Sequence, residues 1–379
     1  MNESNAQSEP LKTVVIVGQG NTGSQVDEHV ARNEQVDRIV LVDPDRFSDR
    51  NVLCQSCVAD DVGKPKAVVM ARRIGRIRKN KPLRVEAIVD RVENVPLGRL
   101  RGAVLMGCTD SRLSRAALDG ISWALAMPLI DCGIQAGGCL ARVEVHVPGD
   151  DAACIQCGWG SRDLELLAES FSCDGRLREA APTGASASLG GVAASLAALE
   201  CEKVLMNRSP GQSLVGRQLV IEAKFYNFYV NNLRRNPRCR FDHRIWSIHK
   251  APESVLTVGD LFEYSRAVFG GSRPTALSGA RKAWVRRLAC LQCGRQARAL
   301  RLQGRIGRKR GRCAHCGGEM VSMGFHARPR LELATAAARL LARPLRALGL
   351  RDRDVVTLAG ADGTERHVEL TMANKPGGM

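Results

Sequence analysis

The chain has 379 residues, 44% of them hydrophobic, and a formal charge of +17 from 56 basic and 39 acidic residues. That is enough for two or three domains, and no apolar run approaches the ~20 residues that a bilayer-spanning helix requires. The basic excess suits nucleic acid or an acidic protein as partner without choosing between them, and the lack of a spanning run implies no membrane. Met1 to Pro10 is polar and lacks the apolar centre of a signal peptide, so residues 1–10 read as a disordered tail on a cytoplasmic protein. Fourteen cysteines in such a chain point to metal sites or reactive thiols rather than disulfides.

Thr13 to Val17 is a continuous apolar run, the pattern of a strand buried on both faces. It runs into Gly18-Gln19-Gly20-Asn21-Thr22-Gly23, a G-x-G-x-x-G turn whose small residues let the backbone approach a phosphate. Ser24 to Asn33 reads as a short helix. Ile39 to Val42 is the next strand and ends in Asp43, where an acid can accept ribose hydroxyls. Together these features predict a bound nucleotide. Several acids, Asn51, Gln55 and Lys66 follow, and Lys66 opens a helix over Ala67 to Arg78. Strands are predicted at Val85–Val89, at Ala103–Asp110 with a carboxylate at its end, at Pro128–Gly133, and at the alternating Ala141–Val147. In a wound α/β sheet, ligands sit outside the carboxyl ends of the strands. Asp43 and Asp110 therefore face one crevice, and Lys66 can reach it. Alone, Asp110 would read as a helix N-cap and Lys66 as a solvated helix end.

In order, G-x-G-x-x-G, the Asp43/Asp45 strand end, Asn51…Gln55, Asp61-Val62-Gly63-x-Pro65-Lys66 and Cys108-Thr109-Asp110 resemble the ubiquitin-activating (E1-like) superfamily. That group includes the bacterial ThiF, MoeB and HesA adenylyltransferases, and the likeness runs from Leu11 to His243. It implies a Rossmann-like wound sheet with an E1-like extension, and adenylation by ATP and Mg²⁺ of the C-terminal carboxylate of a ubiquitin-like or sulfur-carrier protein. By position, it implies that Gly18, Gly20, Gly23, Asp43, Asp45, Asn51, Gln55 and Lys66 form the nucleotide site, with Asp43 on the ribose and Lys66 on phosphate. Asp110 would hold Mg²⁺. The chemistry agrees: a carboxylate attacking an α-phosphate brings anions together, so cations, a metal and donor groups matter more than a base. Two positions depart from the pattern. Cys54 stands where N-x-x-R-Q has its arginine, and a thiol cannot neutralise phosphate charge, so Arg50 or Arg46 is expected to take that duty. Asn21 replaces a common glycine. The resemblance also implies a homodimer. An NAD-dependent oxidoreductase would explain the glycine turn and Asp43 but not Lys66 with Asp110. A non-catalytic zinc-stabilised scaffold of the same fold is the rival reading, favoured by Cys54.

Cys154-Ile155-Gln156-Cys157 matches a C-x-x-C that many superfamily members pair with a second one to hold zinc. Here the second reads Cys239-x-x-x-His243, giving a Cys₃His zinc set of Cys154, Cys157, Cys239 and His243. Cys173, 16 residues after Cys157, lies before a flexible stretch (Arg176 to Ser188) and an Ala-rich helix (Leu189 to Met206). In conjugating members a cysteine in such a loop takes the activated carboxyl; the plainer reading is a buried loop thiol. Cys54, Cys57, Cys108, Cys132, Cys139 and Cys201 read as structural.

Cys290, Cys293, Cys313 and Cys316 form C-x₂-C-x₁₉-C-x₂-C, the spacing of a zinc ribbon, with His315 a bystander. Arg281 to Arg312 holds a dozen Lys and Arg and no acid. Its one aromatic, Trp284, gives base stacking little support, so a protein partner is favoured over nucleic acid. Residues 246–289 read as a connecting segment, small and helical or mixed, 290–330 as the ribbon, and 331–379 as a C-terminal helix (Leu331 to Leu348) and a hairpin (Asp354–Leu358 with Thr364–Leu370). The diglycine Gly377-Gly378 belongs to a polar tail.

Overall fold

The computed structural model describes residues 11–78, 81–169, 184–209, 211–270, 274–279, 281–307, 311–332 and 338–372. Cys173 and the terminal diglycine lie outside the described residues. Two compact units divide the chain. The first holds the described residues through Glu93, then Leu100–Leu167 and those from Gly184 to Ile245; the second holds Asn94–Arg99, Ala168, Glu169 and the described residues from Trp246 on. No helix among the described residues is long and apolar enough to cross a membrane.

The first unit is a wound α/β sheet. Its strands are β1 (Thr13–Val17), β2 (Arg38–Val42), β3 (Arg84–Ile88), β4 (Ala103–Gly107), β5 (Leu129–Gln135), β6 (Leu140–His146), β7 (Arg217–Glu222) and β8 (Asn227–Asn232), in the order β3-β2-β1-β4-β5-β6-β7-β8. The first five run parallel and the last three antiparallel. Val15 pairs with Val40 on one side and Leu105 on the other, and both faces of these strands are buried, which is why the apolar runs do not alternate. The helices are α1 (Gly23–Arg32), α2 (Lys66–Ile74), α3 (Arg112–Ala124), α4 (Ser161–Glu169) and α5 (Ala187–Leu205). Helix α2 ends earlier than the expected Ala67 to Arg78, with Gly75 at its C-cap. Ile16, Leu41 and Met106 pack with Val26 and Val30 of α1 and with Ala194, Ala197 and Cys201 of α5. Replacing such a side chain by alanine costs roughly 2–5 kcal/mol.

β1 sits where the winding reverses. β2 lies on one side of it and β4 on the other, so the carboxyl ends of β1, β2 and β4 open one crevice. Gly18 N donates to Val42 O at 2.9 Å and Cys108 N to Val17 O at 2.9 Å, tying the three tips together.

In the second unit the segment expected to connect domains is built into sheets. β9 (Ile248–Lys250), α6 (Val258–Val268), β10 (Ala276–Ser278) and β11 (Trp284–Cys290) all begin within residues 246–289. Leu277, Trp284 and Val285 are fully buried, and that burial makes the stretch part of a core. The ribbon follows as β12 (Gln296–Leu302), β13 (Met320–Val321) and β14 (Ala327–Arg328), with β11 pairing all three. The helix expected over Leu331 to Leu348 is replaced by β15 (Arg330–Glu332), a single turn α7 (Ala338–Leu341) and a 3₁₀ turn (Leu345–Leu348). Pro344, with no N–H to donate, divides the last two. β16 (Val355–Ala359) and β17 (Glu365–Glu369) form the expected hairpin within a sheet ordered β15-β10-β16-β17-β9. Asn94–Arg99 closes this unit: Gly98 N donates to Arg353 O at 2.9 Å, and the Arg305 guanidinium donates to Asn94 O.

Candidate functional site

The glycine turn is shaped by close approach. Gly18 has φ +89°, and a Cβ there would lie 2.5 Å from Cys108 O. Only glycine tolerates both. Asp43, at the tip of β2, accepts from Gln19 N at 2.6 Å and from Asp45 N at 2.7 Å. Burial pushes its carboxyl up, against those two N–H groups and Lys66. Each oxygen keeps a lone pair for a ligand hydroxyl. Asn21 explains how the chain does without the common glycine: its amide donates to Ala185 O and Ser186 O, each at 3.0 Å, fastening the turn to the start of α5. Gly190 gives it room, since a Cβ there would collide with the Asn21 side chain.

Lys66 is not a solvated helix end. Its residue is 8% exposed, its ammonium lies 3.7 Å from Asp45 Oδ2, and Phe47 stands 5.9 Å away. Asp110 is exposed, and no described residue bonds or pairs with it. The N-cap of α3 is Ser111, whose hydroxyl accepts from Ser114 N at 3.1 Å, so capping leaves the Asp110 carboxylate unused.

Asn51 Oδ1 accepts from Ser48 N at 2.8 Å and from Ser48 Oγ at 3.1 Å, capping the turn Asp49–Leu53. Gln55 Oε1 is buried without a partner, an acceptor left over in the fold. Of the two arginines that might replace the missing one, Arg46 is engaged, donating to Gly63 O at 2.6 Å. Arg50 is exposed with no side-chain partner among the described residues; Cys54 Sγ lies 3.9 Å from its carbonyl.

A charged network beside the crevice was not anticipated. Arg115, on α3, donates to Thr109 O at 3.0 Å and lies 3.3 Å from Asp131 Oδ2. Arg142 reaches the same oxygen at 2.5 Å and also binds Glu144, which accepts from Gln218 Nε2 at 2.9 Å. His146 Nδ1 meets Ala153 O at 2.9 Å, next to Cys154. Burial alone would raise Glu144, but His146 and Arg142 hold it down to about 2. Burial would lower His146, and Glu144 raises it. Burial raises Asp131 against the pull of both arginines. Gly107 and Gly133 leave the space: a Cβ on the first would lie 2.9 Å from Asp131 Oδ1, on the second 2.8 Å from Arg115 Nη2. The signal in the sequence was the charge of Asp131, Arg142 and Glu144 inside apolar strand runs.

Each unit also carries one sulfur-rich quartet. Sγ of Cys154 lies 3.7 Å from that of Cys157 and 3.8 Å from that of Cys239, and Cys157 Sγ lies 3.3 Å from His243 Nε2. All four ligand atoms fall within 4.8 Å of one another. A tetrahedral zinc with bonds of ~2.3 Å to sulfur separates its ligands by about 3.8 Å, so this set fits the ion. His243 takes φ +51°, and its ring packs edge-on at 4.9 Å from Trp123 and 5.1 Å from Phe241. Asp119 of α3 accepts from Ile155 N at 3.2 Å and Gln156 Nε2 at 3.1 Å, bracing the first pair.

The second quartet brings Cys290 within 3.4 Å of Cys316 and Cys293 within 3.7 Å of Cys313. Its four sulfurs also fall within 4.8 Å of one another, and His315 stands outside the set. Each pair sits on a backbone knuckle: Gly294 N bonds Cys290 O at 3.0 Å, Gly317 N bonds Cys313 O at 2.9 Å, and both glycines have φ near +70°.

The sequence profile of the ThiF family matches residues 8–241. The chain is 31% identical over 233 residues to a sulfur carrier protein adenylyltransferase of Thermus thermophilus, covering 60% of this chain and 80% of that one. It is 26% identical over 149 residues to the sulfur carrier protein ThiS adenylyltransferase of Escherichia coli, 38% of this chain and 57% of the other. Among solved structures, E. coli MccB with ATP superposes at a TM-score of 0.47 with 24% identity, over 61% of this chain and 67% of that one.

Proposed function

The chain belongs to the ThiF family, and we propose that it is an adenylyltransferase: with MgATP it activates the C-terminal carboxylate of a ubiquitin-like or sulfur-carrier protein and releases pyrophosphate. The observation that carries this reading is the convergence at the tips of β1, β2 and β4: the glycine turn, Asp43 with Lys66, and an Asp110 that neither capping nor pairing consumes. Asp43 would take the ribose hydroxyls on the lone pairs that Gln19 and Asp45 leave free. Lys66, drawn toward Asp45 in this structure, would turn its ammonium to phosphate. The turn's N–H groups would receive a phosphate oxygen. Arg50, unengaged, is the residue to stand in for the arginine absent at Cys54, and Gln55 Oε1 is an acceptor the nucleotide could satisfy.

Mg²⁺ is held by one or two carboxylates plus substrate phosphates, and Asp110 supplies the first of these. When bound, the metal would screen the charge of the reacting phosphates. Arg115 acts one step back: by holding the Thr109 carbonyl it fixes the backbone from which Asp110 projects. The two quartets would each hold a structural zinc, and elemental analysis of the purified protein should give about two ions per chain.

Exchange of labelled pyrophosphate into ATP, dependent on a carrier, tests the reading. Asp110→Ala should lower it by at least about a hundredfold while thermal stability holds, because an exposed, unpaired carboxylate contributes little to the fold. Full exchange in Asp110→Ala would remove the metal role from that residue. Absence of exchange in wild type with every candidate carrier would leave the zinc-stabilised scaffold, which Cys54 favours.

Transfer of the activated carboxyl to Cys173 would be a second step. The thiolate would attack the acyl carbon, form a thioester and expel AMP. Cys173→Ala should then keep pyrophosphate exchange and abolish a thiol-sensitive enzyme–carrier adduct on a non-reducing gel. Wild type that adenylates without forming an adduct is a simple adenylyltransferase. The homodimer implied by the family is checked by sedimentation.

A further inference from the structure

Folding sorts the basic residues of the ribbon into two groups. Arg305 is buried and paired with Asp354 at 3.2 Å. Arg286, Arg287, Arg295, Arg298 and Arg312 stay exposed, and no carboxylate among the described residues pairs with them. Arg287 lies directly opposite Arg298 across β11 and β12. Like charges in that register are destabilising unless an anion lies between them. An irregularity in the pairing between Val285 and Arg287 lets both Arg286 and Arg287 face solvent, where strict alternation would bury one of them. The arrangement therefore keeps cations together at a cost in stability.

The chemistry of the surface favours a protein over nucleic acid. Trp284 is the one aromatic between Arg281 and Arg312, and it is fully buried with its indole N–H on Leu277 O at 2.9 Å. Nothing aromatic among the described residues from Arg281 to Arg312 is left for a base to stack on. Leu291, between the first two cysteines, is 38% exposed and offers an apolar contact beside the guanidinium groups. Arginine is among the residues enriched at protein interfaces.

We propose that the β11–β12 hairpin and its first knuckle dock an acidic face on the folded body of the carrier. This rests on the adenylyltransferase reading. Adenylation engages a terminal carboxylate, which every protein has, so discrimination among carriers must come from a surface beyond the reacting end. The ribbon lies outside residues 8–241, the part shared with the family, and five of its arginines are exposed with no carboxylate partner among the described residues.

The test is pyrophosphate exchange by the full chain, with a purified ubiquitin-like protein ending in Gly-Gly as the probe. Exchange should weaken as salt rises, through a growing KM for the carrier. The triple variant Arg286→Ala/Arg287→Ala/Arg298→Ala should raise that KM tenfold or more, flatten its salt dependence, and leave kcat, the KM for ATP and the zinc content unchanged. Leu291→Asp should raise it by a smaller factor, and Arg287→Lys/Arg298→Lys should keep most of the wild-type value. An unchanged carrier KM in the triple variant overturns the docking role while exchange itself upholds the adenylyltransferase. A variant that keeps its carrier KM but no longer retards a 20-base-pair RNA duplex on a gel makes the ribbon a nucleic-acid surface and equally overturns it. Failure of wild type to exchange removes the premise and the inference together.

Discussion

The two quartets hold similar ligands in opposite settings. Cys154 and Cys157 are buried, their loop is braced by Asp119, and His243 is packed against Trp123 and Phe241. Around the ribbon quartet the core is six buried residues, Val285, Leu288, Cys290, Ala299, Cys313 and Met320, two of which are the ligands themselves, while Cys293 and Cys316 are exposed. In the first case a packed domain presents a site to a metal. In the second the metal would be much of what the packing rests on. The same spacing logic would thus describe two different dependences on a bound zinc.

The sharpest way to break this contrast is to remove the metal. Structural zinc in small modules is worth about 10–16 kcal/mol, and six buried residues cannot replace it. Cys290→Ser should therefore lose one zinc per chain and the amide-exchange protection of the knuckle ends of β11 and β12, while the Trp284 and Leu302 ends, packed in the larger core, keep theirs. Protection in β1, β4 and α5 should be retained, as read by mass spectrometry. Equal protection of the ribbon with and without metal would make the two clusters alike.

A smaller effect is expected at the braced cluster. Asp119→Asn keeps the shape but loses one acceptor for the loop that carries Cys154 and Cys157. Supporting groups of this kind typically contribute ten- to a hundredfold to metal affinity, so zinc should pass to a competing chelator about tenfold more readily. Trp123 fluorescence should follow the loss, while the ribbon zinc stays in place.

The smallest effect is in pH dependence. Glu144 is held down to about 2 in the folded chain. Its stabilisation is complete above its ordinary carboxylate range and is lost as pH falls from about 5 toward 2. His146 is raised, so its stabilisation is present below its ordinary range and fades as pH climbs through the folded value. Glu144→Gln should be less stable at neutral pH and should flatten the acid limb of thermal unfolding between about pH 5 and 2. An acid limb identical to wild type would separate the network from the fold's pH response.

Much of the nucleotide crevice was legible because its parts are local. A glycine turn between apolar runs, an acid at a strand tip and a lysine opening a helix are each read within a few residues. The quartets were legible because cysteines are rare and their spacing is constrained by one small ion. The Arg115–Asp131–Arg142–Glu144 network was not, because its members meet only after β4, β5, β6 and α3 assemble. That Ser111, not Asp110, caps α3 depends on where the backbone turns helical, at Arg112. Residues 246–289 looked like a connection because each apolar stretch there is short; their burial comes from partners as distant as β16. The helix expected over Leu331 to Leu348 followed apolar spacing and underrated Pro344.

Asn94–Arg99 bears on the order of synthesis. Asn94 leaves the ribosome 211 residues before Arg305, the side chain that binds its carbonyl. Gly98 must wait longer still for Arg353 and for Glu369, whose carboxylate a Cβ at Gly98 would strike at 2.5 Å. The second unit cannot be completed by its own C-terminal stretch alone, and a chain begun at Trp246 would leave the Arg305 and Arg353 contacts without their partner. Closing so long a loop adds little entropy beyond a shorter one, so the delay is one of time rather than of stability. Until the last strand emerges, these six residues of the early chain lack the partners that hold them in the finished unit.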